Sequence, residues 1–320
     1  MKPTSETITE LADASFASVQ AGHAPIAGAT PSRWADYYEL TKPRMNFLVV
    51  ITTMVGFYMA APHATSTAAG IDWLLLVHTL LGTALTAAGA SVLNQYVERD
   101  IDKLMARTMD RPIPAGRVAP LEALIYGVAL GSAGIVYLAA TVNLLTALLG
   151  AVTLGTYVLL YTPMKRWTTL NTVIGAVPGA IPPMMGFTAA QGALSPEALA
   201  VFGILFFWQM PHFLAIAILY RDDYGRGGLK MLPVVDPDLS VTSRQILLYG
   251  MALIPASLTP VQLGMAGPMY FTCAVLLGFA FLSFGVSCAT TRTRTDARKL
   301  FFASIVYLPL LLAAMMLDKG

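Results

Sequence analysis

Long blocks of apolar residues alternate with short polar segments along this chain. Many of the blocks are long enough for a helix to cross about 30 Å of hydrocarbon, which takes roughly 20 residues. The alternating pattern of an outer-membrane barrel is absent, so the sequence predicts an all-α polytopic membrane protein. We predict nine membrane-spanning helices, near residues 45–62, 72–95, 119–140, 144–163, 170–190, 198–219, 243–262, 267–288 and 300–317.

The composition agrees with this class. Hydrophobic residues make up 56% of the 320 positions and charged residues only 12%, whereas soluble domains are about 25% charged. A water-soluble globular protein is therefore excluded. The formal net charge of +2 is too balanced to indicate a nucleic-acid partner. Cys273 and Cys288 lie too far apart on one predicted helix to form a disulfide, and we interpret them as packing residues.

The chain divides into a polar tail and a membrane domain. Residues 1–35 lack the pattern of a secretory signal and are predicted to be disordered. Residues 36–320 are predicted to form one membrane-embedded domain. If the N-terminus is cytoplasmic, every Lys and Arg except Lys319 falls in a cytoplasmic segment. This asymmetry indicates a cytoplasmic N-terminus and a C-terminus on the opposite side.

The first charged segment follows the second predicted span. Asn94, Glu98 and Asp102 recur every four residues, with no helix breaker before Pro112. On a helix this spacing places the three side chains on one face, and Asp100 lies off that face. Two carboxylates and an amide oxygen form a set suited to Mg²⁺. The alternative is a solvated loop of ion pairs, but a spacing that reaches into a transmembrane helix favours a site.

Basic residues accompany these oxygens on the same predicted side of the membrane. Arg107 and Arg111 follow directly, and Lys165 and Arg166 end the fourth predicted span. Mg²⁺ carboxylates beside several cations are what a diphosphate requires, because the metal bridges its oxygens and the cations neutralise the rest. The sequence therefore predicts a diphosphate site at this end of the bundle.

A second charged segment closes the sixth predicted span. Arg221, Asp222 and Asp223 stand in a row there. Taken alone, the pattern is typical of an ordinary helix end. Together with the first segment it predicts a second metal position, with one of the two carboxylates facing the bundle and the other facing an Arg.

Two features lie inside the predicted spans. His212 is about two turns inside the membrane, and although a buried neutral histidine is the commoner arrangement, ionisable residues within spans are functional candidates. Small residues recur at four-residue intervals along the fifth span. They predict either close helix packing or room for a flat ligand, and they are Asn171, Gly175, Gly179, Pro182 and Gly186.

The order of these motifs resembles the UbiA-type intramembrane prenyltransferases. Asn94 with carboxylates at plus four and plus eight, followed by an acidic segment after the sixth span, carries this resemblance. The resemblance is closest to the haem O synthase (protohaem IX farnesyltransferase) branch and covers residues 36–317. The motifs that carry it are Lys42-Pro43-Arg44, Arg107-Thr108 with Arg111-Pro112, Tyr161-Thr162 with Lys165-Arg166, Trp208-Gln209 with Pro211-His212, and Arg221-Asp222-Asp223-Tyr224 with Met231-Leu232-Pro233.

The resemblance implies a nine-helix bundle in a bacterial inner membrane, with a cavity open toward the membrane and covered by the two charged loops. The implied reaction transfers a farnesyl group from farnesyl diphosphate to a vinyl group of haem B, with addition of water. The product, haem O, is the precursor of haem A, so haem A synthase or oxidase assembly factors would be partners.

The resemblance also implies a role for each candidate residue. Asn94, Glu98 and Asp102 would hold one Mg²⁺, and Asp222 with Asp223 would hold a second. The catalytic set would be Asn94, Glu98, Asp102 and Asp223. His212 would contact haem. The cations that would bind the diphosphate are Arg44, Arg107, Arg111, Lys165, Arg166 and Arg221.

This sequence departs from the family pattern at two positions. Glu98 stands where many members have Asp, and Leu219 stands where other branches have an upstream carboxylate, which leaves the second metal position less complete. One alternative is a related enzyme that prenylates an aromatic or quinone precursor. The other is a transporter, but a transporter would carry ionisable groups or broken helices near mid-membrane, and here the acidic residues cluster at one interface.

Overall fold

The computed structural model describes residues 32–62 and 70–320, and the regular structure of these ranges is helical except for an isolated bridge between Ala266 and Lys319. The helices are α1 (Arg33–Leu40), α2 (Pro43–Ala60), α3 (Trp73–Asp102), α4 (Pro120–Thr141), α5 (Leu144–Met164, π-helical at Thr156–Tyr161), α6 (Asn171–Gln191), α7 (Pro196–Leu219), α8 (Arg221–Arg226), α9 (Leu232–Val235), α10 (Ser240–Gln262), α11 (Pro268–Thr291) and α12 (Arg294–Leu317).

Each predicted span coincides with one long helix in the described ranges. Seven of these helices are long and apolar enough to cross a membrane, namely α3, α4, α5, α6, α7, α11 and α12. Helices α2 and α10 are more polar, since α2 begins with Arg44 and Asn46 and α10 carries Arg244 in its second turn. The predicted class, an all-α polytopic membrane protein, is confirmed, and the count of nine crossings stays a prediction.

The predicted N-terminal tail lies outside the described residues as far as residue 31. Its last residues differ from the prediction, because helix α1 already begins at Arg33. Ser32 caps this helix, and its side chain accepts a hydrogen bond from the backbone nitrogen of Ala35. An N-cap serine satisfies one of the free N–H groups of the first turn, which explains why the helix starts there.

Helix α6 lies at the centre of the bundle and packs against α2, α3, α5 and α7. Its glycines allow backbone contact with these neighbours. A Cβ atom on Gly186 would lie 2.1 Å from the carbonyl oxygen of Thr53, and one on Gly179 would lie 2.0 Å from Oε1 of Gln209. The small residues of the fifth predicted span therefore serve close packing at these positions.

Helix α3 continues past the predicted end of its span and stops only at Asp102. At the opposite end of the bundle the last residues of the chain reach the first span. Lys319 Nζ donates to the carbonyl oxygens of Tyr58 and Ala61, each at 2.7 Å. These carbonyls belong to the C-terminal end of α2, where backbone oxygens lack helical partners. Lys319 therefore joins the two ends of the membrane domain.

Candidate active site

The three oxygen-bearing side chains of α3 share one buried face, as their spacing predicts. Asn94 is 2% exposed, Glu98 6% and Asp102 0%. Asn94 Nδ2 donates to Glu98 Oε2 at 3.1 Å, which fixes the amide with its oxygen turned away from Glu98. The Asp100 side chain is 72% exposed and lies near Arg99 and Lys103. The helix therefore separates Asp100 from the other three residues.

Each of the three side chains contacts a cation from a different part of the chain. Lys42 Nζ donates to Asn94 Oδ1 at 3.0 Å. Lys165 Nζ lies 2.7 Å from Glu98 Oε1. Arg111 Nη1 lies 2.7 Å from Asp102 Oδ2. Buried carboxylates without such partners would be strongly destabilising, so these contacts explain how the acidic face is accommodated inside the bundle.

The two lysines respond differently to this environment. Burial lowers the pKa of Lys42 to about 7, and the positive charge of Arg111 adds to this effect while Glu98 opposes it. Burial is also the largest single effect on Lys165 and lowers its pKa, but the charge of Glu98, the neighbouring Tyr161 and Tyr157 and the hydrogen bond to Glu98 together outweigh burial and raise the pKa of that lysine above its usual value. Lys165 is therefore a permanent cation in the site.

The chemistry of this face fits a magnesium ion. Asp102 Oδ1 is buried and has no hydrogen-bond partner among the described residues, so one carboxylate oxygen is left for a ligand. No group of three or more His, Cys, Asp and Glu side chains that could hold a metal occurs within residues 32–62 and 70–320. Mg²⁺ commonly needs only one or two carboxylates, because substrate phosphates and water complete its shell. Glu98, Asp102 and the amide of Asn94 meet that requirement.

The structure gives the two adjacent carboxylates of α8 different surroundings. Asp223 is buried, and its Oδ1 accepts a hydrogen bond from the backbone nitrogen of Ala106 at 3.2 Å and contacts Arg226. Asp222 is 68% exposed and pairs with Arg294 at 2.5 Å. Asp223 therefore joins the segment after α3 to the segment after α7, whereas Asp222 faces another element and is not brought to the acidic face.

The remaining predicted cations lie around the rim of the site. Arg107 is exposed, and its guanidinium stacks over the rings of Tyr220 and Tyr224 at 4.9 and 5.8 Å. Arg221 Nη1 donates to the carbonyl oxygen of Pro237 at 3.2 Å. Arg44 and Arg166 are both exposed. The structure therefore brings Lys165 and Arg111 to the acidic face, whereas the contacts of Arg107 and Arg221 in the described part of the chain are with other residues.

Lys42 is the site residue that sequence reasoning missed. Its motif, Lys42-Pro43-Arg44, predicts Arg44 as the diphosphate ligand, whereas the structure brings Lys42 to the acidic face. Lys42 has a positive φ of 47° between α1 and α2, and this turn directs it toward Asn94. Helix α1 fixes the turn, because Gln95 Nε2 donates to the carbonyl oxygen of Leu40 at 2.7 Å.

Ion pairs attach α1 to the bundle. Arg117 Nε lies 2.7 Å from Asp36 Oδ1, and Arg33 lies 2.9 Å from Glu122. The Tyr37 hydroxyl also donates to Glu122 at 3.1 Å. Residues from α1 are thereby connected to the loop after α3 and to the start of α4, so this short helix is a fixed part of the site's wall.

The acidic face continues into the apolar interior of the bundle. A cavity of about 20 Å³ lies on the side of α3 that precedes Asn94 in the sequence. It is lined by Ala90, Ala87 and Thr83, which lie at helical spacing before Asn94. This volume corresponds to roughly one water molecule, so a larger group enters only when side chains move. The other lining residues are Val49, Thr86, Thr153, Leu154, Pro182 and Met185.

His212 lies half-buried on α7, apart from the acidic face. Its ring stacks against Trp208 and Phe301, each with a centroid separation of 5.1 Å. Its Nδ1 lies 2.6 Å from the hydroxyl oxygen of Ser304. The partner is thus a serine side chain on α12, rather than the backbone carbonyl that is the common arrangement.

The sequence of this chain is similar to those of known proteins. The model of the UbiA prenyltransferase family matches residues 49–306. A protoheme IX farnesyltransferase of Solibacter usitatus (strain Ellin6076) is 50% identical over 287 residues, which cover 89% of this chain and 98% of that protein.

Two solved structures share the fold. A digeranylgeranylglyceryl phosphate synthase superposes with a TM-score of 0.72 at 15% identity, covering 89% of this chain and 98% of the other. A UbiA homolog from Archaeoglobus fulgidus, bound to GPP and Mg²⁺, superposes with a TM-score of 0.58 at 18% identity, covering 88% and 99%. At these identities the likeness concerns the arrangement of helices.

Proposed function

Because this chain belongs to the UbiA prenyltransferase family, we propose that it transfers a farnesyl group from farnesyl diphosphate to a vinyl group of haem B. Water adds in the same reaction, diphosphate leaves, and haem O is the product. The observation that carries this proposal is the buried face of Asn94, Glu98 and Asp102 with a separate cation on each side chain. The 50% identity to a protoheme IX farnesyltransferase supports the choice of haem as acceptor.

We assign the first magnesium ion to Asn94, Glu98 and Asp102. When bound there, Mg²⁺ would neutralise charge on the leaving diphosphate. Asp102 offers its unpartnered Oδ1, and Glu98 offers Oε2, which contacts the amide of Asn94 rather than Lys165. Asp223 is the residue of the second segment that we include in the catalytic set. The exposure of Asp222 and its pairing with Arg294 argue against a ligand role for that residue.

The cations of the site would stabilise the leaving diphosphate. Lys42, Lys165 and Arg111 already contact the acidic face, so they would reach phosphate oxygens bound to its metal. Arg107, at the rim, would add a second guanidinium from the covering loop. Arg44, Arg166 and Arg221 would contribute from their positions farther out. Such fixed positive groups act where negative charge develops as the allylic C–O bond breaks.

The membrane interior is a suitable place for this reaction. Farnesyl chains and porphyrins are both lipid-soluble, and an allylic cation must be shielded from bulk water. We place the protein in a bacterial inner membrane, with the basic end of the bundle facing the cytoplasm. Haem O would pass to an enzyme that forms haem A or to oxidase assembly factors.

The decisive experiment is expression in a host that lacks its own haem O-forming enzyme. Extracted haems would be separated by reverse-phase chromatography and identified by mass. We expect a species heavier than haem B by one farnesyl group plus water. Haem B alone, with the protein shown to be in the membrane, would contradict the haem assignment. Aromatic acceptors tested with the same diphosphate would then identify a related prenyltransferase.

A further inference from the structure

The hydrogen bonds of Ser304 determine the protonation of His212. The Ser304 hydroxyl donates to the carbonyl oxygen of Phe301 at 2.5 Å. A hydroxyl has one proton, so toward His212 Nδ1, at 2.6 Å, it acts as an acceptor. Nδ1 therefore carries the imidazole proton, and in the neutral ring the lone pair lies on Nε2.

This Nε2 atom is available to a ligand. It makes no hydrogen bond within the described ranges, and it is not among the fully buried unpartnered atoms. Trp208 and Phe301 stack on the ring at interplanar angles of 20° and 27°, which fixes the plane of the imidazole. Stacking leaves the ring edge that carries Nε2 as the part of the residue open to a partner.

A second half-buried histidine has a different arrangement. His78 Nδ1 lies 2.7 Å from the hydroxyl of Tyr137, which makes no other hydrogen bond in the described part of the chain. A phenol hydroxyl can donate or accept, so this contact does not fix the tautomer of His78. His212 thus has a tautomer that its partner fixes, whereas His78 does not.

A neutral imidazole with a donating Nδ1 and a free Nε2 is the form that binds transition metals. Its bond from Nδ1 to a fixed acceptor orients the ring and increases the basicity of the ligating nitrogen. Such a histidine is a common axial ligand of haem iron. The depth also fits, because His212 is about 10 Å from the end of α7 and Asn94 about 12 Å from the end of α3, at 1.5 Å per residue.

We propose that His212 Nε2 coordinates the iron of the haem acceptor, and that Ser304 is a positioning residue that fixes the tautomer. The inference rests on the proposed function, which supplies haem as the acceptor. Coordination would fix the macrocycle at one point and leave its rotation about the Fe–N bond to be set by other contacts. A vinyl group would then be presented at the depth of the diphosphate site.

The test uses the purified full chain in detergent, with haem B and iron-free protoporphyrin IX as probes. We expect the wild type to bind haem B at least tenfold more tightly than protoporphyrin IX, since only haem B has iron to coordinate. His212→Gln should reduce this preference to about onefold, and His78→Gln, the matched control, should retain it. An unchanged preference in His212→Gln would overturn the proposal.

Resonance Raman spectra of the ferrous haem complex supply a second readout. The iron–histidine stretching band should be present in the wild type and in His78→Gln, and absent in His212→Gln. His212→Gly should regain the band when imidazole is added, which separates ligand loss from misfolding. Ser304→Ala should keep the band at a shifted frequency, with affinity for haem B lowered roughly 10- to 100-fold. An iron–histidine band in His212→Gln would contradict the assignment.

Haem O formation by the wild type is measured separately. If haem O forms while the His212 variants retain both the band and the preference for iron, the inference fails and the proposed function stands. If the band depends on His212 but no haem O forms, the proposed function fails and the haem ligand stands.

Discussion

Lys165 Nζ and Glu98 Oε1 lie 2.7 Å apart and join the end of α5 to the acidic face of α3. Both side chains are removed from solvent for most of their surface, so the pair is a buried one. Removing one partner of a buried pair typically costs about 3–5 kcal/mol, because the other charge is left without compensation. When either residue is substituted, the effects on activity and on stability must therefore be measured separately.

The first prediction separates the two effects. Glu98→Gln should lower haem O formation at least 100-fold and reduce stability, whereas Glu98→Gln combined with Lys165→Met should recover stability but not activity. Activity would be measured per membrane-inserted protein, and stability by thermal unfolding in detergent. Asp100→Asn is the matched control on the same helix, and it should retain nearly full activity because Asp100 is exposed. A double variant with restored activity would contradict the metal assignment.

The second prediction concerns Lys42. Lys42→Met should raise the KM for farnesyl diphosphate roughly tenfold, because a buried cation beside Asn94 is lost and charge-assisted contacts to phosphate are among the stronger ones. Steady-state kinetics at saturating haem B would measure the change. Lys103→Met provides the control, since Lys103 is exposed beyond the end of α3. Equal KM values for the two variants would exclude Lys42 from the diphosphate site.

The third prediction distinguishes the adjacent carboxylates of α8. Asp223→Asn should lower turnover about tenfold or more, because Asp223 accepts from Ala106 and connects the two loops of the site. Asp222→Asn should change turnover less than about twofold, since exposed ion pairs contribute about 0–1 kcal/mol. Both variants would be assayed for haem O in the same membranes. A larger effect of Asp222→Asn would restore that residue as the ligand of a second metal.

The fourth prediction tests the packing of α6. Gly186→Ala should lower the unfolding temperature, because its Cβ would meet the backbone of α2 at 2.1 Å and the helices would have to separate. Overpacking of this kind costs about 1–3 kcal/mol. Gly203→Ala on α7, where a Cβ would meet nothing within 4 Å, should instead be neutral or stabilising by up to about 1 kcal/mol. Equal unfolding temperatures would show that the α2–α6 contact adapts freely.

Local periodicity was sufficient to predict the shared face of Asn94, Glu98 and Asp102, because the pitch of a helix alone determines it. The cation that contacts each of these residues could not be predicted in the same way. Lys42 lies 52 residues from Asn94 in the sequence. It reaches the site through a backbone conformation with positive φ, which is not predicted for a lysine. Such contacts depend on how helices pack and cannot be read from spacing.

The acidic pair of α8 illustrates a similar limit. The sequence left open which carboxylate faces the bundle, because adjacent residues on a helix diverge by about 100° and either could point inward. The neighbours decide, with Ala106 on one side and Arg294 on the other. Burial of the acidic face also depends on tertiary packing, which places Asp102 out of contact with solvent although its position along α3 is at the membrane boundary.

The contact of Lys319 with α2 has a consequence for biosynthesis. Lys319 is translated 261 residues after Tyr58 and 258 residues after Ala61, the residues whose carbonyl oxygens it contacts. Closure of the bundle at that end therefore cannot precede translation of α12. Chains truncated before Lys319 would leave these carbonyl oxygens without that donor. Such incompletely packed chains would be more prone to misfolding and aggregation.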